Sequence, residues 1–495
     1  MPVVAHRRGI DQSAIPVGTR RVWLIGLLAY FAIGAAWAFA TPYNGAYDEH
    51  DHVVRAAGVV RGQLLVSPAR GVNDGGFPVV PRSLVPPGVT CMMTANPPAA
   101  TCLGAAPDDR TAEPVHSRAS RYDPAYYALV GWPLLPWPNM AGVIGARLVS
   151  ALLCAALLAT AAALALPLRR RRFLPLAVLF GASPMLLALN GLVNPSGLTI
   201  DAAVLLWVVL LRRYGDEAEP DASAKRRLAV LGSLAAVAVV LARPEGFVLV
   251  AGIVLVVHVA LGVRPKLRPP RAALVVAGAT VAALAWALLS RVAEFGAAPT
   301  PVSKPFLAVL RAIVQYNIDY WLRQTIGLFG YGSIGMPQWA YLAWTAVAGG
   351  LLVAGFARAG RRTAAVIVAV PLLCVAAGIA ADLVMSRIVG YWMQGRYFLP
   401  LWVGAFLLAA WAIGEVGDAR LVRRAYLAGL GVWALIQTVA LGVALIGYST
   451  GKQAHPPGSP IWIPPGGFVL PFVLLVVGLV AATFFHRQEA RLVAP

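Results

Sequence analysis

An all-α polytopic membrane protein, a bundle of about twelve spanning helices, is the fold class this sequence predicts. Three observations carry that expectation. The chain is 59% hydrophobic and only 13% charged over 495 residues, an imbalance that soluble domains rarely tolerate. Apolar segments close to the roughly 20 residues that span a bilayer recur along its whole length. The positive charge, formally +20, falls mainly in alternate connections between those segments. That is the bias of loops held on the cytoplasmic side, not the continuous basic face a nucleic acid needs. The bilayer is the expected partner and nucleic acid is not.

Residues 1–21 form a short cytoplasmic tail containing Arg7, Arg8, Arg20 and Arg21. The first apolar segment, 22–40, has no small-residue cleavage site close behind it, so it is expected to remain as the first transmembrane helix. Further apolar segments lie at 140–166, 173–190, 197–211, 227–241, 246–262 and 271–290, within a first bundle, 140–290. A second bundle, 339–486, holds 339–357, 364–385, 397–413, 424–447 and 468–486, and 487–495 is a cytoplasmic tail. The inner connections then carry the arginine run 169–172, the basic residues of 212–227, Arg264, Lys266, Arg268, Arg271, Arg358, Arg361, Arg362, Arg420, Arg423, Arg424, Arg487 and Arg491. The stretch 123–138, "DPAYYALVGWPLLPWP", is apolar but short and proline-rich. A crossing there would move the arginine run outside, so it reads as a re-entrant or interfacial helix, with thirteen crossings as the alternative.

Two outer connections exceed simple loops. Residues 41–139 are rich in Pro, Gly and polar residues and are expected to fold as an extracytoplasmic cap carrying the catalytic loop. Cys91 and Cys102 share that cap, and outside the cell they should form a disulfide, whereas Cys154 and Cys374 lie in crossings as packing residues. In 291–338, Arg311, Gln315, Asp319 and Arg323 recur every fourth residue on an otherwise apolar background, the pattern of an amphipathic helix lying in the interface. No solenoid period, inverted repeat or soluble cytoplasmic domain is visible in the sequence.

The chemistry concentrates in "YDEHDH". Asp48, Glu49 and Asp51 follow the first crossing directly, where an ionised carboxylate beside lipid is costly unless it has a partner or a task. A solvated loop explains one acid there; three acids with His50 and His52 point to a site. Crowded carboxylates raise one another's proton affinity, which suits one of them to act as a general base. His50 and His52 on one side of an extended segment leave a divalent cation open, although ligand patterns normally need a second cluster and only His116 offers itself.

Arg396 in "QGRYFLP" stands before an outer helix start, where free amides and a guanidinium together favour a phosphate, and Gln394 and Tyr397 flank it. A snorkelling arginine among aromatic anchors is the plainer reading. Lys304 and Arg243 are further outer cations, Arg243 pairing with Glu245 in "ARPEG". Asn194, in the turn "NGLVNPSG", either lines a polar cavity or caps a helix. A sugar on a lipid phosphate already carries a good leaving group and needs cations, while the acceptor hydroxyl needs a base; these residues supply both. No glycine-rich nucleotide loop is visible.

The acidic pair after the first crossing resembles that of the integral-membrane C-type glycosyltransferase superfamily, the group of protein mannosyltransferases, aminoarabinose transferases and mycobacterial arabinosyltransferases. More narrowly, "YDEHDHVVRAAGVVRGQLL", "YDPAYYAL", "GLVNPSGLTIDAAV", "IGLFGYGSIGMP" and "QGRYFLP" resemble the bacterial membrane-protein family called domain of unknown function two-one-four-two. The resemblance implies a C-type bundle and inverting transfer from a polyprenyl-phosphate sugar to a glycan or glycolipid on the extracytoplasmic face. It implies Asp48 as base, Glu49 positioning the acceptor or sharing the proton, and Arg396 on the lipid phosphate; the residues themselves suggest Lys304, Arg243, Gln394 and Tyr397 beside it. His50, His52, Asn194 and Glu245 would line the acceptor cavity. His50 stands where the family pattern has proline and Asp51 where it has alanine, so Asp51 rivals Asp48 as base and a metal stays open. The Ala-, Val-, Arg- and Gly-rich composition fits a high-GC, actinobacterial setting, in which an arabinofuranosyltransferase of cell-wall assembly is the expected form. A transporter or flippase of lipid-linked sugars is the alternative.

Overall fold

The computed structural model describes residues 17–66, 75–166, 171–215, 221–263, 271–291, 301–414, 416, 418–453, 456 and 458–492. Arg7, Arg8, Arg169, Arg170, Arg264, Lys266 and Arg268, and the side chains of Arg487 and Arg491, lie outside the described residues.

The helices are α1 (Val17–Ala40), α2 (Glu49–Val59), α3 (Pro124–Val130), α4 (Met140–Ala165), α5 (Leu174–Gly181), α6 (Pro184–Asn190), α7 (Pro195–Tyr214), α8 (Ala222–Ala242) and α9 (Gly246–Leu261). They continue with α10 (Arg271–Leu289), α11 (Phe306–Ala312), α12 (Ile318–Ile326), α13 (Gln338–Arg358), α14 (Arg361–Met385), α15 (Leu399–Ile413), α16 (Ala419–Thr450) and α17 (Val469–Leu492). Among the described residues, eight helices are long and apolar enough to cross a membrane. The remaining apolar segments are short, as in α9 and α15, or begin with charge, as α8 does with Lys225, Arg226 and Arg227. Segment 173–190 is cut in two at Ala182–Ser183, because Pro184 disfavours helical backbone in the residue before it. Ser183 caps the second half, and the freed Ala182 carbonyl accepts from Trp433 Nε1 (3.0 Å) and Gln437 Nε2 (3.1 Å). A break inside an apolar bundle survives only when such partners are present.

The proline-rich stretch 123–138 holds no helix long enough to cross a membrane. α3 has seven residues, about 10 Å of helix, followed by a single 3₁₀ turn, Trp132–Leu134. Leu129, Trp132, Leu135 and Trp137 remain exposed along it. In the second long connection, the every-fourth-residue stripe does not run on one continuous α-helix: a π turn, Ile313–Asn317, separates α11 from α12. The extra residue turns Trp321 and Thr325 toward the protein, where Gln324 is also buried, and Asp319 and Arg323 pair on the outer side.

α7 is buried over almost its whole length, against α4, α8, α9 and α15; α10 buries nothing and forms an edge. α1 lies between α4 and α17. The described residues of 41–139 sit on the end of the bundle where α1 finishes. They include α2, a short antiparallel pair, β1 (Val79–Pro81) with β2 (Ala112–Pro114), and the disulfide Cys91–Cys102. A second pair, β3 (Leu328–Phe329) with β4 (Ile334–Gly335), follows α12. Polar bonds draw the other connections to this same end: Asn194 to Tyr47, Arg243 to Ser196, Tyr331 to Asn44, Arg396 to Asp48 and Lys452 to Pro97. At the opposite end arginines close helix C-termini, Arg212 on Leu164 O (2.9 Å), Arg171 on Trp411 O (2.7 Å) and Arg358 on Ile413 O (2.6 Å).

Candidate functional site

The site begins where α1 stops. Arg147 reaches out of α4 and spends every N–H it has: Nε and Nη2 each meet Glu49 at 2.6 Å, Nη1 meets Ala38 O and Thr41 O, and Nη2 also meets Pro42 O. Glu49 is fully buried and accepts further from the amides of Asn44 and Val193. This fork-to-fork pair closes the carbonyls at the end of α1 and pins the first residue of α2. Glu49 is thereby enclosed, with no surface left for an acceptor.

One residue earlier the backbone turns left-handed. Asp48, at φ 63°, is the N-cap of α2, yet its carboxylate caps nothing. Such a conformation is uncommon outside glycine and is tolerated where the surroundings impose it. It swings the carboxylate away from the helix and onto Arg396, with Nη2 to Oδ2 at 2.6 Å. The Asp48 side chain stays 30% exposed and Arg396 only 1%. Arg396 Nε and Nη1, though buried, make no hydrogen bond among the described residues, nor does Gln394 Oε1. The Arg396 guanidinium lies over the Tyr47 ring at 4.7 Å and beside Tyr397 at 5.3 Å; Arg243 takes the Tyr397 ring at 5.1 Å. One aromatic ring is thus flanked by two cations.

The Arg396 loop is held from below. Asp382, buried in α14, accepts from the amides of Trp392 (2.8 Å) and Met393 (2.7 Å) and from Asn317 Nδ2 (2.9 Å). Gln324 accepts from Gly395 N at 2.6 Å and donates to Tyr47 Oη at 2.7 Å. It ties the residue before Arg396 to the residue before Asp48. Gly395 fits because a Cβ there would lie 2.0 Å from the Trp321 carbonyl.

Asp51 is buried, accepting from Arg118 Nε (3.2 Å) and Arg118 N (2.8 Å). α2 is a helix, not an extended segment, so residues two apart point to different sides. His50 Nδ1 accordingly pairs with Tyr43 Oη (3.0 Å) and His52 Nδ1 with Tyr127 Oη (2.8 Å). Among the described residues no group of three His, Cys, Asp or Glu could hold a metal ion, so the donor set offers no ready metal site. Asn194 caps α7 through Ser196 N and donates to Tyr47 O. Arg243 bonds Glu245 (2.9 Å) and Ser196 (3.0 Å). Lys304 is not with the rest; it lines a separate cavity near Arg387.

Burial pushes the Asp48 carboxyl up, but Arg396, with Arg118 beyond it, overrides this and holds it below the ordinary carboxylate value. Asp51 goes the other way: burial lifts it to about 6 against the pull of Arg118. Burial drives His50 down to about 4 and His52 to about 3, so both rings are neutral at ordinary pH. The cluster therefore holds one charged, partly accessible carboxylate on a buried cation.

Residues 31–405 match the family described as "Predicted membrane protein (DUF2142)". The chain belongs to that family. No curated protein matches it. Among solved structures it is similar to ArnT from Cupriavidus metallidurans bound to undecaprenyl phosphate, at 15% identity and a TM-score of 0.43, over 97% of this chain and 77% of that one. It is also similar to the Archaeoglobus fulgidus oligosaccharyltransferase in the apo form, at 13% identity and a TM-score of 0.38, covering 89% of this chain and 57% of that one.

Several residues that shape the site are absent from the sequence reading. Arg147 and Asp382 each stand as a lone charge inside an apolar segment, a signal that marks buried function or pairing by default. Arg118 lies in a loop with many charges, and Gln324 and Tyr47 carry no sequence signal that separates them from their neighbours.

Proposed function

We propose that this family member is a glycosyltransferase that takes a sugar from a polyprenyl-phosphate donor and passes it to a glycan or glycolipid acceptor on the extracytoplasmic face. The single observation that supports this best is the Arg396–Asp48 contact at 2.6 Å, made by a guanidinium that keeps two buried nitrogens unbonded. Those two nitrogens still need acceptors, and a lipid phosphate meets a guanidinium bidentately.

Transfer with inversion needs the entering and leaving oxygens on opposite sides of the anomeric carbon. Asp48 and Arg396 therefore part when donor binds. The phosphate replaces the carboxylate on Arg396, and Asp48, relieved of the cation that lowers it, gains basicity. Asp48 then takes the proton of the acceptor hydroxyl as its oxygen bonds to the anomeric carbon. The bond from that carbon to the phosphate oxygen breaks, and its electron pair leaves with the lipid phosphate on Arg396. Arg243, across the Tyr397 ring, adds positive potential to the same place. Asp48 suits the base better than Asp51 because Asp51 is enclosed and held by Arg118. Glu49 serves by fixing the turn that aims Asp48. Arabinofuranose transfer in cell-wall assembly is the form proposed for the sugar.

The test is purified protein in lipid nanodiscs with a panel of polyprenyl-phosphate sugars, read by mass spectrometry for free lipid phosphate and extended acceptor. Turnover with at least one donor, abolished by Asp48→Asn, is the expected result. Full turnover in Asp48→Asn, or donor moved across the membrane without cleavage, would sink it.

A further inference from the structure

A cavity of about 500 Å³ opens beside the Arg396 loop and contains neither Asp48 nor Arg396. Lys304 and Arg387 line it together with Ser303, and among the described residues no carboxylate does. Val302, Phe306 and Leu383 supply its apolar wall. Val302 N bonds Ser386 O at 2.8 Å, so the two sides, one before α11 and one at the end of α14, are stapled together. Both cations are exposed. Two like charges around one hollow, with no counter-ion among the described lining residues, are mutually unfavourable, and an anion between them removes that cost.

The surroundings of the hollow are greasy. Leu307 is 74% exposed, Val384 61% and Ile388 48%, flanking it on α11 and at the end of α14. Tyr391 and Trp392 follow, also exposed, as aromatic side chains do at a headgroup boundary. A free phosphate would use the cations and ignore these side chains; a lipid uses both.

We propose that this cavity docks the phosphate headgroup of a membrane lipid, with the acyl or prenyl chain lying along the exposed Leu307, Val384 and Ile388. The site is separate from Arg396, and it stands whether or not sugar transfer occurs. Charge complementarity selects a headgroup with net negative charge, bound by Lys304 and Arg387 with Ser303 donating a third hydrogen bond.

The full chain in detergent is titrated with phosphatidate and bound lipid is counted by native mass spectrometry. Wild-type protein is expected to hold it, Lys304→Gln/Arg387→Gln to bind it at least tenfold more weakly, and Lys304→Arg/Arg387→Lys to restore it. Arg396→Gln should keep it. Equal binding in the double glutamine variant, no binding to wild type, or loss in Arg396→Gln alone overturns the proposal. Displacement by inorganic phosphate at the same concentration as phosphatidate would overturn the lipid assignment, because the chain would then contribute nothing.

Discussion

At the scale of single residues, two carboxylates one position apart have opposite fates. Glu49 is locked by Arg147 and the amides of Asn44 and Val193, while Asp48 touches Arg396 from a partly open position. Removing one partner of a buried pair leaves an uncompensated charge, so Arg147→Met is expected to lose about 3–5 kcal/mol of stability. Thermal unfolding in detergent measures it, and Glu49→Leu combined with Arg147→Met should lose less than the two single variants added together. Additive losses would mean the pair is not coupled. The pH dependence separates Asp48 from Asp51 as base. The profile of kcat/KM reports the free enzyme. Asp48 is held below its ordinary value there, so it stays ionised through pH 5, whereas Asp51 would be protonated below about 6. With Asp48 as base kcat/KM is flat from pH 7 to 5, and kcat, which reports the donor complex, shows its acid limb at higher pH because phosphate has taken Arg396. An acid limb of kcat/KM near 6 would hand the role to Asp51.

Between elements, the decisive object is the clamp that joins the α1–α2 turn to the loop before α15. Gln324 is its central link, bonding Gly395 N and Tyr47 Oη from inside the protein. In Gln324→Leu the Gly395 amide loses its partner in a buried place, worth about 1–3 kcal/mol. Donor affinity should fall by about tenfold or more at that energy, with kcat less affected, and Gln324→Glu, which still accepts from Gly395 N, should recover part of it. Unchanged donor affinity in Gln324→Leu would show that the clamp does not position Arg396. The parts of this clamp differ in how readable they are. "QGRYFLP" and "YDEHDH" announce themselves by charge beside apolar segments. Gln324 does not, because a neutral side chain beside the charged stripe carries no mark of the two bonds it makes inside the protein. His50 and His52 mislead for another reason: their spacing has one meaning on a strand and another on a helix.

For the whole molecule, the apolar segments fix that there is a bundle but not how closely its helices approach. Length and hydropathy mark α7 as a span and α15 as a shorter apolar helix; they say nothing of the contact between them, which depends on individual small residues. Apolar side chains gain little by leaving lipid for one another, so close packing and buried polar bonds must hold such helices. Gly404 shows how. A Cβ there would lie 2.1 Å from Trp207 Cζ2 and within 2.5 Å of two more ring atoms. Trp207 cannot retreat, being fully buried with Nε1 bonded to Pro400 O at 2.9 Å. Gly355 on α13 meets Ala409 on α15 as tightly, so α15 is gripped on two sides. Even one methyl group at 404 must therefore push α15 off α7, and Gly404→Ala is expected to lose about 1–3 kcal/mol. The melting temperature in detergent should fall, and Trp207→Phe in the same chain should recover part of the loss by making room. Because Pro400 begins the helix that follows Arg396, donor affinity should drop together with stability in Gly404→Ala and return with it in the double variant. A melting temperature equal to wild type in Gly404→Ala would mean that α7 and α15 do not meet at this point, and the support of the Arg396 loop would have to be sought elsewhere.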